Sequence, residues 1–433
     1  MDFLCDRRKI HLTIPDDSLV YNSLFPAPTC SASELVTEAM RQPIDSAPLS
    51  KAIKSRRDGN VVIVVSDITR PIPYATFLAN ILDEIASAGV PCTQIVILVA
   101  TGMHRPSTPA ERIEMLGGDV VSRYKIVDHY SDRDDNLVTL DGKSYSGQKV
   151  RLNRVFMEAG FRITTGLVEP HFMAGFSGGR KAVCPGLSSL ETLQQFHGYN
   201  FLSNPLARNG NLNGNPLHEE SLSVAKLADV DFSINVVLNR SRRIVGIFAG
   251  ELDEAHRKAC EFVERHACPH VEHQVDIALT SSGGYPLDAT FYQCVKGMVG
   301  VLPAVKPGGI IISFGGCSEG IGNHGYAELM KNYTDRWKDF VADISTGESF
   351  LKDQWEFQMQ TRVLRHVGQQ NLHFVSDGLS AEQLSTLCVN PHHTTEQHLS
   401  TTVQKVLDVS LENSEHKTVA VFPEGPYCAP IKA

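Results

Sequence analysis

The stretch His171–Gly186, HFMAGFSGGRKAVCPG, sets a histidine, a serine and an Arg180–Lys181 pair among four glycines. Three chemistries fit such a composition: a phosphate cradle, a structural turn, or a lysine presented for covalent reaction. A phosphate-binding P-loop needs G-x-x-x-x-G-K-[ST]. Here Arg180 separates Gly179 from Lys181, Ala182 follows where a magnesium-binding hydroxyl would stand, and the glycine spacing is short by one. The backbone amides of Ser177, Gly178 and Gly179 could still form an anion nest. A lysine beside a cation such as Arg180 loses affinity for its proton and becomes a nucleophile.

Other polar groups gather at comparable places. Asp67-Ile68-Thr69-Arg70-Pro71 follows the apolar run VVIVVS, and Thr101-Gly102-Met103-His104 follows QIVILVA. Glu169-Pro170-His171 follows a third such run, and Gln293 and Lys296 stand three apart, on one face of a predicted helix. Each residue has a plain structural reading. Arg70 can pair with Asp67 at the surface, His104 and His171 can be hydrogen-bonded loop residues, and Gln293 and Lys296 can be solvated. The functional reading rests on their coincidence at one sheet edge.

The elements that must position these groups read as α/β. Val61–Ser66, Gln94–Ala100 and Phe161–Leu167 are short apolar runs of the kind buried on both faces of a parallel sheet. Tyr74–Ala88 and a segment from Pro109 have helical spacing. The theme restarts with the strand Val275–Thr280, the helix Asp288–Val299 and the strand Gly309–Phe314. A polar, loop-like stretch, Val389–Gln397, precedes a last helix. The reading is two doubly wound, Rossmann-like domains with mostly parallel sheets and a site in the cleft between them. Residues 1–271 form the first domain and 272–411 the second. The tail 412–433, with strand-like Thr418–Phe422, is free to join either and is assigned to the first.

Bulk properties narrow the class. A chain of 433 residues exceeds one ordinary core. A net charge of −9 argues against general nucleic-acid or membrane binding. The N-terminus has no apolar h-region, and no apolar run nears the roughly 20 residues of a membrane span. Ten scattered cysteines without a CxxC pair fit a reducing cytoplasm better than a disulfide framework.

Taken together, DITRP (67–71), ATGMHRP (100–106), PHFMAGFSGGRKAVCPG (170–186), FHGYN (196–200), GNPLHEE (214–220), GGYPLD (283–288), YQCVKGM (292–298), Trp355 and the terminal PEGPYCAP resemble the nickel-pincer lactate racemases and their 2-hydroxyacid racemase and epimerase relatives. The resemblance implies a nickel-pincer nucleotide: a pyridinium mononucleotide with a thioamide and a thioacid, holding Ni2+ through two sulfurs and a ring carbon. It implies that Lys181 forms the covalent thioamide link and His197 ligates nickel, with Ser177, Gly178 and Gly179 around the cofactor. His104 and His171 match the acid/base pair. Arg70 and Lys296 match groups at the substrate carboxylate and carbonyl, and Asp67, Gln293 and Trp355 match further pocket positions. The expected partners are a small 2-hydroxy acid and the enzymes that build the cofactor. The alternatives are an NAD-dependent 2-hydroxyacid dehydrogenase, although no G-x-G-x-x-G follows the first strand, and a non-catalytic ligand-binding homologue.

Overall fold

The computed structural model describes residues 1–347, 350–412 and 417–432. It contains two six-stranded sheets. The first has the order Ile244–Gly250, Phe232–Leu238, Phe161–Leu167, Val61–Ser66, Ile95–Ala100, Lys125–Asp128. All neighbours are parallel except Phe232–Leu238 with Ile244–Gly250, a hairpin at one edge. Val61–Val65 and Ile95–Val99 are buried throughout, because helices cover both faces. The second sheet has the order Asn390–His393, Leu372–Ser376, Val305–Phe314, Val275–Ser281, Val419–Phe422, Leu19–Val20, and is wholly parallel.

Strand order places the functional loops. In the first sheet the chain leaves Val61–Ser66 toward one edge, then returns on its other side with Phe161–Leu167. In the second it leaves Val275–Ser281 and returns on its other side with Val419–Phe422. Open α/β sheets bind ligands beyond the strand ends at such reversals. The loops there are Asp67–Pro71 and Glu169–Lys181 in the first sheet, and Ser282–Tyr285 and Glu424–Tyr427 in the second.

Several expectations need correction. The N-terminus does not belong with the first sheet: Phe3, Cys5, Ile10 and Leu12 pack against Ile277, Leu279, Ile312 and Phe314, and Leu19–Val20 extends the second sheet. The tail does not return to the first sheet either. Val419–Phe422 is an interior strand of the second, since its four apolar residues need cover on both faces. The end of the tail does reach back: Ala429 N donates to Ala267 O at 2.9 Å, and Ile431–Lys432 pairs with His270–Val271. Asn390–His393, loop-like in sequence, is an edge strand. Its polar residues suit a strand with one neighbour, and the His392 ring lies on that of His373, with Nε2 and Nδ1 2.9 Å apart. The strands Phe232–Leu238 and Ile244–Gly250 add to those expected from the sequence.

Phe3 tests the corrected boundary. It is fully buried, and its ring meets Phe314 edge-on at 5.6 Å. Phe3→Ala is expected to cost about 3–5 kcal/mol, read as a lower denaturant midpoint in urea unfolding followed by hydrogen exchange. Loss of protection should fall on Val275–Ser281 and Val305–Phe314 and spare Val61–Ser66.

Candidate active site

Three loops of the first sheet build one half of the site. At the end of Val61–Ser66, Asp67 is buried and its Oδ2 lies 2.6 Å from Nδ1 of His104, while Thr69 Oγ1 donates to Oδ1 at 2.6 Å. Burial alone would raise the pKa of Asp67. The hydrogen bonds from His104 and Thr69, with the charge of Arg70, outweigh it and hold the carboxyl below its usual range. Asp67 is therefore ionised, Nδ1 of His104 carries the proton, and Nε2 keeps a lone pair with no hydrogen bond among the described residues. The loop is fastened by Arg105 to Glu111 at 2.5 Å and by Ser107 N to Asp128 at 3.1 Å. The simple Arg70–Asp67 pair fails: the Arg70 guanidinium instead lies 3.7 Å from Glu169.

The loop after Phe161–Leu167 sets its histidine the other way. Nδ1 of His171 accepts the backbone N–H groups of Met173 and Ala174, both at 3.2 Å, and Nε2 lies 2.8 Å from Nζ of Lys181. A nitrogen receiving two amide protons holds none itself. The proton of the neutral ring is therefore on Nε2, and Lys181 must accept it as an uncharged amine. Electrostatics agree. Burial pushes the lysine well down, helped by Arg70, Arg180 and Lys296, and burial with the neighbouring cations Lys296 and Arg70 does the same to His171.

Arg180 organises this loop from behind. Its buried guanidinium donates to Ala174 O at 2.9 Å and lies 2.8 Å from His256 Nε2. The glycines answer to the protein itself: a Cβ would stand 2.2 Å from Asn211 O at Gly175, 2.6 Å from Val168 Cγ2 at Gly178 and 2.5 Å from His256 Cγ at Gly179, and all three have positive φ. Ser177 is likewise committed, donating its hydroxyl to Leu167 O at 2.7 Å.

His197 caps the helix Leu190–Phe196. Its Nδ1 donates to Leu193 O at 3.0 Å, which leaves the Nε2 lone pair available. Burial drives it down to about 3, so the ring is neutral. Its face stacks on Trp355 at 4.6 Å, and Trp355 donates Nε1–H to Tyr292 OH at 2.7 Å. Trp355 opens the helix Gln354–Val367, which grips the His197 segment through Gln358 to Tyr199 O and Arg362 to Ala207 O. The second unit thus holds the ring in place. Gln293 and Lys296 lie on the adjoining helix Phe291–Gly300, and Gln293 Oε1 is buried without a partner among the described residues.

Burial, reinforced by Arg70, lowers Lys296 to about 8. The buried Glu356, one oxygen of which has no hydrogen-bond partner among the described residues, is raised by burial to about 8. Sequence reasoning misses Glu356, and it names Glu169 and Tyr292 only within their motifs, without giving them a part in the site. A signal exists for Glu356: QWEFQMQT gives its helix no solvated face, and all eight residues are buried. A cavity of about 710 Å³, counting its mouth, lies between the two strand-order reversals, lined by Pro71, Glu169, Gly283, Glu424 and Tyr427. It touches none of His104, Lys181 or His197, so it flanks the chemistry and does not contain it.

Fold and site define a two-unit α/β protein whose loops at the strand-order reversal carry Asp67 paired with His104, and His171 paired with Lys181. Comparison with known proteins makes this specific. Residues 5–210 match the lactate racemase N-terminal domain and residues 271–426 the lactate racemase C-terminal domain. The chain is 35% identical to the lactate racemase of Lactiplantibacillus plantarum, over 98% of both chains. It is 36% identical to that of Thermoanaerobacterium thermosaccharolyticum, over 91% of this chain and 89% of the relative. The solved lactate racemase apoprotein of the latter organism superposes with a TM-score of 0.87 at 32% identity, covering 100% of this chain and 99% of the other. A Thermotoga maritima structure shares the fold at 17% identity, with a TM-score of 0.70 over 95% of this chain and 100% of that one. The chain belongs to the lactate racemase family and is an isomerase.

The raised Glu356 makes a signed prediction. Between its ordinary 4.5 and about 8, the folded protein keeps a proton that the unfolded chain has released, so this group removes stability as pH rises through that window. Glu356→Gln should flatten the fall in Tm between about pH 5 and pH 8, measured by thermal melts across buffers.

Proposed function

We propose that the protein inverts C2 of a small 2-hydroxy acid, lactate or a near relative, by reversible hydride transfer to a nickel-pincer nucleotide tethered at Lys181. The observation that carries this reading is the pair of imidazoles set in opposite tautomers beside an uncharged lysine. The named function of both curated relatives supports it. A dehydrogenase or a non-catalytic homologue has no such support.

The residues fit the cofactor. Among the described residues no group of three or more His, Cys, Asp and Glu side chains could hold a metal. A metal on His197 Nε2 therefore draws its remaining donors from a non-protein group, and soft sulfur and carbon donors with one imidazole suit nickel. Lys181 supplies the amine for the tether. When bound, this group supplies an electrophilic ring carbon that stores a hydride. Ser177, Gly178 and Gly179 serve it by shaping the loop.

The chain's own residues do the rest. Arg70, half-buried, grips the carboxylate. Lys296, charged below about 8, offers a second cation to the carbonyl oxygen. For one enantiomer, His104 Nε2 takes the hydroxyl proton and Asp67 stabilises the imidazolium, as a carboxylate does behind any histidine base. For return on the opposite face, His171 passes its Nε2 proton to the oxygen, and exchange with solvent then returns a proton to His171 and removes one from His104; the reverse direction exchanges the roles. A tethered Lys181 nitrogen no longer accepts a hydrogen bond well, which frees Nε2–H for this task. Gln293, Trp355 and Asp67 position these groups. The expected partners are the enzymes that make the cofactor, and the expected location is the cytoplasm, in keeping with ten free cysteines. No described helix is long and apolar enough to cross a membrane.

Two measurements test the reading. Protein produced with the cofactor-building enzymes should carry stoichiometric nickel and a mass adduct on Lys181, both absent in Lys181→Ala. Polarimetry with single-enantiomer lactate should show racemisation that falls on the order of 100-fold or more in His104→Gln and in Asp67→Asn, with the adduct retained. Net NADH formation from a hydroxy acid and NAD would favour the dehydrogenase instead.

A further inference from the structure

Nζ of Lys181 lies 2.8 Å from His171 Nε2, a contact that racemisation does not use. We infer that the protein catalyses its own loading, with His171 acting as the proton relay that lets Lys181 condense with a pyridinium thiocarboxylate. The inference rests on the proposed tether but asks something the tether alone does not require: that the attachment be accelerated by this chain.

Three features of the geometry converge on a condensation site. The amine is half-buried and, among the described residues, forms no ion pair and makes its hydrogen bond only to His171 Nε2. The Met173 and Ala174 amides occupy Nδ1, so the ring cannot become a second cation without breaking both bonds. It can only exchange protons at Nε2. Finally, the loop that carries the pair is held firmly: Arg180 holds Ala174 O, Asn215 Nδ2 holds Met173 O at 2.9 Å, and Asn235 Oδ1 accepts Gly179 N–H at 2.8 Å. These bonds fix the very residues that fix His171. A histidine serving only a later proton transfer needs no lysine nitrogen on its acidic proton.

The step balances. Nζ attacks the thiocarboxylate carbon, forming the C–N bond of a thioamide, and the C–O bond breaks while sulfur stays. The Nε2 proton of His171 goes to the departing oxygen. A proton lost from Nζ refills Nε2, so the ring ends as it began. From the thiocarboxylate anion the oxygen leaves as hydroxide, and no oxidant or reductant takes part. Arg70, Arg180 and Lys296 surround the site with positive charge, which favours binding of an anionic thiocarboxylate and disfavours an ammonium at Nζ.

The test uses apoprotein and two small probes, N-methylpyridinium-3-thiocarboxylate and acetic anhydride, with intact-mass and peptide-mass readout at Lys181. The anhydride brings a leaving group that needs no acid; the thiocarboxylate does not. Wild type should gain both modifications. His171→Phe should lose thiocarboxylate adduct formation on the order of 100-fold while its anhydride labelling stays within a few-fold, and His171→Gln, which keeps an N–H donor, should fall between. Equal adduct rates in wild type and in either variant overturn the relay and leave the tether reading intact. A wild-type Lys181 that takes the anhydride but never the thiocarboxylate overturns self-loading. Absence of the nickel-bearing adduct in co-produced protein would instead count against the tether itself.

Discussion

Two amide protons on one ring nitrogen govern this site. By occupying Nδ1 of His171, Met173 and Ala174 dictate that Nε2 is a donor, and that donor requires Lys181 to be a free base. Across the sheet reversal, an ionised Asp67 imposes the converse on His104. Two identical side chains thereby acquire opposite proton polarity, one from backbone and one from a carboxylate. The proposed reaction, in which one ring collects the hydroxyl proton and the other returns it, would use that polarity, and the fold supplies it with hydrogen bonds made within the protein.

The second unit contributes orientation more than protons. Trp355 lies flat on His197, and its helix fastens the segment from Tyr199 to Ala207 by backbone carbonyls. The one nitrogen of His197 left free among the described residues is thus aimed by a residue 158 positions away in the chain. Lys296 and Glu356, buried on adjoining helices, share an environment in which neither charge is cheap. Electrostatically, the junction is a cationic pocket whose acidic residues, Glu169 and Glu356, make no direct contact with Lys181 among the described residues.

Much of this is legible in the sequence, for physical reasons. Runs such as VVIVVS are unambiguous because a strand covered on both faces needs every residue apolar, and the residues just past its carboxyl end lie at the sheet's ligand-binding edge. That rule alone locates Asp67, Arg70, His104 and His171. The glycines of 175–179 are legible as a constraint but not in its direction. They make room for Asn211, Val168 and His256, whereas the sequence suggests room for a bound group. Partners separated by long stretches of chain leave no local periodicity. For the same reason Asn390–His393, polar and at an edge, reads as loop, and the strand Leu19–Val20, two residues long, leaves no pattern to find.

The placement of Leu19–Val20 bears on how the molecule is made. This edge strand pairs with Val419–Phe422, about 400 residues further along the chain. The first sheet can close while translation continues, since its strands all lie within residues 61–250. Phe3, Ile10 and Leu12 stay uncovered until Ile277, Leu279, Ile312 and Phe314 have been made and folded over them, which makes the N-terminal arm a natural segment for a chaperone to hold. The second sheet therefore closes later than the first, because its pairings join segments from distant parts of the chain.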